Sequence, residues 1–302
     1  MNGIKLIEPI ELFNLLNQSI GDKSCVNGEH YLILYDTRNL KEYSESHIIT
    51  SFHISFDGHG CYMFPFNIDH SSIKHIVIMD NKTSSLKEAS SGISCAKAIW
   101  NMISKNEVML VKGGFEDFSA LYPFLCTKKV LYTQRDISHM IVYPLEIENG
   151  FLFLGTTKQA LNKNVNYDLK IKAYINVTIE SNNLYLKNDD ESLPQLLHIP
   201  VKDEVGENIY DYFQTTCSFI DEHKKNKHRL LIYSNLGISR SVTIVLCYMI
   251  YCYKVSLKKA FVTLKTYQNS ACPHQDFIKS LMQWEFDVLG ERITILEDGI
   301  FR

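Results

Sequence analysis

An α/β chain of two domains is what this sequence predicts, on three observations. Its 302 residues match the length prior for two domains rather than one. Its hydrophobic fraction of 45% is enough for two packed cores. In the second half a short apolar run of strand length is followed, after a tight turn, by a longer apolar run of helical length. The run from Leu230 to Tyr233 reads as a buried strand, and Val242 to Ile250 as the helix after it.

The turn between that strand and helix carries the most chemistry. It runs Tyr233-Ser234-Asn235-Leu236-Gly237-Ile238-Ser239-Arg240-Ser241. A tight strand-to-helix turn aims backbone N–H groups at one point, and the helix dipole adds positive potential there. Gly237 permits the turn. Arg240 suits a fork-like grip on two phosphate oxygens. Ser239 and Ser241 are expected to cap the helix start. Ser234, Asn235, Leu236, Gly237, Ile238, Ser239 and Arg240 together form the expected phosphate-binding loop. A charged hydrogen bond contributes roughly 1.5–3 kcal/mol and a helix N-terminus roughly 0.3–1. These imply dissociation constants of about millimolar to tens of micromolar for a bare phosphate. The bland alternative is an ordinary Gly/Ser turn that ends in Arg-Ser.

The loop resembles that of the cysteine-dependent phosphatases, which runs His-Cys-x-x-x-x-x-Arg-Ser. Here Ser234 stands at the cysteine position and Tyr233 at the histidine position. Such a site lowers a cysteine pKa from about 8.5 to roughly 3.5–7.5, whereas a serine needs an adjacent general base. The nearest residue for that role in the sequence is Tyr233. The frame is thus expected to hold phosphate and to fail to cleave it.

The surroundings extend the likeness. From about Tyr143 to Leu289 the chain resembles the dual-specificity phosphatase domain. Glu146 to Gly155 is similar to its opening strand, and Tyr174 to Val177 to its next core strand. Ile199-Pro200-Val201-Lys202-Asp203 resembles the segment of the general acid, with Asp203 at the acid position. Phe213 to His223 reads as the helix before the loop strand. Ser256 to Phe261 and Pro273 to Glu285 resemble the two closing helices, with Phe277, Leu281 and Trp284 on one face.

The first half resembles the rhodanese-like domain. Leu32 to Arg38 is a strand ending in Asp-x-Arg, followed by Glu42-Tyr43 and Ser46-His47-Ile48 at the family's spacing. Ile76 to Asp80 is similar to the central strand, and Val108 to Phe115 to the late strand with its glycine turn. Asp80 stands about where the sulfur-carrying cysteine would be, and a carboxylate forms no persulfide. Cys95, on the following helical pattern, reads as a small buried core residue. The expected organisation is therefore an inactive rhodanese-like α/β domain over 1–130 and an inactive dual-specificity phosphatase-like α/β domain over 143–290. The linker is expected between Cys126 and Tyr143.

This layout is that of the mitogen-activated-protein-kinase phosphatases. With serine at the nucleophile position, the chain resembles the inactive, serine/threonine/tyrosine-interacting type of that group. The resemblance implies protein partners: phosphoproteins, a stress-granule RNA-binding protein and a mitochondrial phosphatase, with roles in signalling and apoptosis. It implies a basic kinase-docking cluster in the first domain, yet no Lys or Arg occurs between His47 and Ile73. A weak residual phosphatase and a scaffold that ignores phosphate are the competing readings.

Bulk properties narrow the classes. A net charge of −3 gives no general attraction to nucleic acid or to acidic membranes. The basic run His223 to Arg229 reads as a solvated turn at a helix end. Eight cysteines without C-x-x-C spacing predict buried, reduced thiols and no zinc site; no cofactor is expected. The start shows no signal-peptide pattern, and it lacks the arginines of a mitochondrial presequence. A cytoplasmic location is expected, with a mitochondrial pool only by resemblance. The Val242 to Ile250 stretch is too short to span a membrane.

Overall fold

A computed structural model describes residues 3–301 except 21–22, 25–27, 29, 58–60, 66–67, 104–106, 131–139, 182–193 and 296–300. The chain divides into two units, residues 1–140 and 141–302. The α/β expectation holds in both. Of the expected linker, residues 131–139 lie outside the described residues.

The first unit is built on five strands: β1 (Ile4–Ile7), β2 (Leu32–Asp36), β3 (Ser51–His53), β4 (His75–Met79) and β5 (Val108–Val111). They lie in the order β1-β5-β4-β2-β3, and every pairing is parallel. Parallel sheets are covered on both faces, and the residues show it. Ile33, Tyr35, Ile76, Ile78, Val108 and Leu110 share a core with Ile93, Ala96 and Ile99 of helix α3 (Ser91–Ile103). Their alternates Leu34, Val77 and Met79 are buried as well. Helices α1 (Pro9–Asn17) and α4 (Gly114–Leu121) pack on each other. The short α2 (Leu40–Glu45) follows the Asp-x-Arg turn and is capped by Asn39.

That turn is a structural lock. Arg38 donates through Nε to both Asp36 oxygens at 3.0 and 3.1 Å and through Nη2 to Oδ2 at 2.7 Å. Nη2 also donates to the Ser46 carbonyl at 2.7 Å, and the guanidinium lies 3.6 Å over the Phe115 ring. Both side chains are buried. A buried charge needs this degree of pairing, so the motif holds α2 to the sheet.

The second unit has strands β6 (Leu145–Glu148), β7 (Leu152–Thr156), β8 (Ile171–Asn176), β9 (Gln195–His198) and β10 (Arg229–Ser234). Their order is β6-β7-β10-β8-β9, with an antiparallel hairpin at one edge and parallel pairing elsewhere. Five helices matter here: α5 (Lys163–Leu169), α6 (Phe213–Lys225), α7 (Arg240–Tyr253) and the closing pair, α8 (Leu257–Tyr267) and α9 (Gln275–Leu289). Every residue of α7 from Arg240 to Ile250 is buried. It is the central helix rather than an amphipathic surface one, which explains its continuous apolar run. Phe277, Leu281 and Trp284 of α9 pack in the same core, as their spacing predicts.

Two expectations need correction. The run from His223 is not wholly solvated: His223 is buried, and Lys224 pairs with Glu148 at 2.6 Å. The cysteines are not uniformly buried either. Cys95, Cys217 and Cys247 are, whereas Cys61 and Cys272 are exposed. Both exposed thiols lie outside regular elements, where no apolar face draws them inward.

Candidate functional site

The loop from Ser234 to Arg240 joins the end of β10 to the first turn of α7. Strand alternation sets its chemistry. Leu230 and Ile232 enter the α7 core, and Ser234 continues that face. Tyr233 therefore points to the opposite face. It is fully buried, with its ring edge-on to Tyr174 at 6.5 Å. Tyr174 donates to Asn166 on α5 at 2.9 Å, and burial followed by Tyr233 raises its pKa far above the ordinary tyrosine range. The sequence made Tyr233 the nearest base for Ser234. The alternation removes it from that role.

Ser234 is 2% exposed, and its Oγ lies 2.9 Å from Oγ of Ser241. Neither hydroxyl is a general base. Ser241 is thus spent on Ser234, and Ser239 on other partners, so neither caps α7 as expected; no side-chain cap is present. The Ser239 hydroxyl donates to Asp203 Oδ1 at 2.6 Å and accepts from the His274 N–H at 3.1 Å.

Gly237 has φ +71, and a Cβ there would stand 2.9 Å from the Gly155 carbonyl oxygen. Only glycine fits that conformation without strain. The Gly237 carbonyl accepts from Gln268 Nε2 at 2.8 Å, and the Ile238 carbonyl from the Cys272 N–H at 2.7 Å. The 268–274 segment therefore holds the turn from outside. Asn235 and Leu236 are exposed at its tip.

Arg240 is 7% exposed. Its Nη1 donates to the Val201 carbonyl at 3.1 Å, and its Nε lies 3.9 Å from Asp203 Oδ2. That Nε is buried without a hydrogen-bond partner, a costly state that an oxyanion would relieve. The structure thus brings Asp203, Ser239 and Arg240 together at the α7 end of the loop. The links through Ser241, Gln268 and His274 were not foreseen, because nothing in a sequence marks a hydroxyl or amide as the partner of a distant loop.

In the first unit, Asp80 follows β4 directly and is 3% exposed. Its carboxylate accepts from Thr83 N at 3.0 Å, Thr83 Oγ1 at 2.5 Å and Gly92 N at 3.3 Å. The Asp80 side chain therefore occupies the Gly92 N–H at the start of α3, while the Ser90 hydroxyl takes that of Ile93. Cys95 lies fully buried on α3, and burial pushes its thiol up to about 12. It holds no thiolate near neutral pH. Among the described residues, no group of three His, Cys, Asp or Glu is placed to hold a metal ion. No helix among them is long and apolar enough to cross a membrane.

Residues 152–287 match the family model "Dual specificity phosphatase, catalytic domain", and residues 15–121 match "Rhodanese-like domain". Dual specificity protein phosphatase 1 of Mus musculus is 29% identical over 237 residues, covering 71% of this chain and 63% of the relative. A "Probable rhodanese domain-containing dual specificity protein phosphatase" of Dictyostelium discoideum is 30% identical over 183 residues, covering 60% and 37%. The chain thus spans between about a third and two thirds of these relatives' length. Among solved structures, human tyrosine phosphatase-like serine/threonine/tyrosine-interacting protein is similar at 28% identity. The match covers 49% of this chain and 98% of that one, with a TM-score of 0.43.

Proposed function

The chain joins a rhodanese-like domain to a dual-specificity phosphatase domain, and on that premise we propose that it is a pseudophosphatase of the serine/threonine/tyrosine-interacting-like type. It binds phosphorylated or phosphatase-like protein partners through residues 234–240 and acts by occupancy. The single observation that carries this is the setting of Ser234, a buried hydroxyl bonded to another hydroxyl. A serine nucleophile needs a base to take its proton, and Tyr233 lies on the other face of the sheet. The binding half keeps its parts: the glycine turn, the α7 N-terminus and the unsatisfied Arg240 Nε. Asp203 retains the acid's place but has no phosphoryl-enzyme chemistry to serve. Partners in stress-granule assembly, apoptosis and signalling, in the cytoplasm or at mitochondria, belong to the same proposal.

One observation favours a phosphate-independent scaffold instead: Arg240 Nη1 is already bonded to Val201. A binding isotherm separates the two readings. Phosphopeptide binding lost in Arg240→Ala supports occupancy by phosphate. Binding unchanged by Arg240→Ala leaves the loop as a folding element only. The residual-phosphatase reading requires aryl phosphate turnover above the Arg240→Ala level.

A further inference from the structure

Asp203 puts an anion beside the group that a phosphate needs. Its Oδ1 accepts from the Ser239 hydroxyl at 2.6 Å, and its Oδ2 lies 3.9 Å from Arg240 Nε. The Arg240 side chain is 9% exposed and that of Asp203 38%. The carboxylate is therefore the member of the pair that can leave for solvent. The same short segment holds the guanidinium a second time, through the Val201 carbonyl and Nη1 at 3.1 Å. Residues 201–203 thus grip Arg240 in the absence of any ligand.

The grip is incomplete. Nε has no hydrogen-bond partner, and the 3.9 Å to Asp203 is beyond hydrogen-bonding distance. A phosphate oxygen at about 2.9 Å from Nε would satisfy it. It would also bring a second negative charge close to Asp203, and like charges at that range repel. The carboxylate must swing out, or the phosphate must bind against it, and both lower affinity. The segment that carries Asp203 can give way. Val201 and Ile209 are buried, and every residue from Lys202 to Gly206 between them is exposed. Its other hydrogen bonds lie at the surface, from the Lys202 N–H to Glu207 and from the Gly206 N–H to Asp276. A segment with exposed hydrogen bonds and few buried apolar contacts opens at low free energy.

We propose that Asp203 is the resident counter-anion of the phosphate site, and that phosphate binds by displacing its carboxylate from Arg240. Asp203 thereby holds the affinity for a bare phosphate below what the loop alone would give. This rests on the occupancy reading above, and it gives Asp203 a role that needs no leaving group. It also joins two observations that point in opposite directions. The bond from Arg240 Nη1 to Val201 belongs to the closed site, and the unsatisfied Nε is what a phosphate gains when the site opens.

The test is isothermal titration calorimetry of the full chain with inorganic phosphate near neutral pH. Asp203→Asn removes the charge, keeps the side-chain shape and still offers Ser239 an acceptor. It is expected to bind phosphate about tenfold more tightly than the wild-type chain. Asp203→Ala is expected to tighten binding by roughly threefold or more, and unchanged thermal midpoints certify folding. Neither gain should survive in the Arg240→Ala background, because the competition is for that guanidinium. Displacement is refuted if the wild-type chain binds phosphate, Arg240→Ala abolishes binding, and folded Asp203→Asn binds no more tightly. A gain in Asp203→Ala alone would mark a steric obstacle rather than a charge and refute it as well, as would a gain that survives Arg240→Ala. Failure of the wild-type chain and both Asp203 variants to bind at about 10 mM phosphate overturns the occupancy reading itself, and displacement with it.

Discussion

Replacing Gly237 by alanine separates two costs that the structure makes distinct. The first is conformational. Gly237 sits at φ +71, where an L-residue costs roughly 1–2 kcal/mol. The second is steric. The new Cβ would meet the Gly155 carbonyl oxygen at 2.9 Å and its carbon at 3.2 Å. That carbonyl belongs to β7, where Gly155 stands opposite Tyr233 of β10, so it cannot retreat without disturbing the sheet. Overpacking of this kind costs about 1–3 kcal/mol. Gly150 supplies the control: φ is +67, and nothing lies within 4 Å of its would-be Cβ. Gly150→Ala should therefore show the first cost alone. Gly237→Ala should exceed it by about 1–3 kcal/mol, roughly 2–12 °C in thermal midpoint for a domain of this size. Denaturant unfolding of both variants gives the difference directly. Equal destabilisation by the two substitutions would refute the argument that the turn is pressed against β7.

Four further outcomes are expected. Glu285 accepts hydrogen bonds from Leu257 N, Ile293 N, Thr294 N and Thr294 Oγ1 while fully buried; Glu285→Ala should cost about 3–5 kcal/mol by leaving these donors unmet, and urea unfolding measures it. Burial, then Lys74, lowers the pKa of His75 to about 4, so the unfolded chain binds the proton first as pH falls. The stability this histidine contributes is complete above about 6.5 and declines between about 6.5 and 4; thermal midpoints of His75→Gln across that window should show a flatter profile. The first unit should yield no thiocyanate from thiosulfate, since Asp80 carries no sulfur and Cys95 is buried; production abolished by Cys95→Ala would show a misplaced site. Tyr233→His with Ser234→Cys should restore aryl phosphate turnover, and Asp203→Ala in that background should lower it by roughly 10²–10⁴ for a poor leaving group.

The legible parts of the fold were those written in local pattern. The run at Leu230 read as a strand because buried parallel strands are continuously apolar, and those at Leu32, Ile76 and Val108, which came through the family resemblance, show the same pattern. The α7 helix read correctly because it is buried on every side. At the site, Gly237 was legible since a tight turn at positive φ demands one residue type. The rest depended on tertiary placement. Ser239 and Ser241 fit the local rule for caps, yet one bonds Asp203 and the other Ser234. Tyr233 adjoins Ser234 in sequence and is removed from it by the pleat. The Thr37 and Ser91 hydroxyls meet at 2.9 Å although they are 54 residues apart in sequence, and no local signal announces it.

The central claim is that residues 234–240 hold a phosphate they do not cleave. Phosphorus NMR of a phosphopeptide mixed with the full chain tests both halves in one sample. The account predicts a phosphopeptide resonance that shifts on titration, no shift with Arg240→Ala, and no growth of the inorganic phosphate signal over days. Inorganic phosphate released by the wild-type chain and not by Arg240→Ala would contradict it.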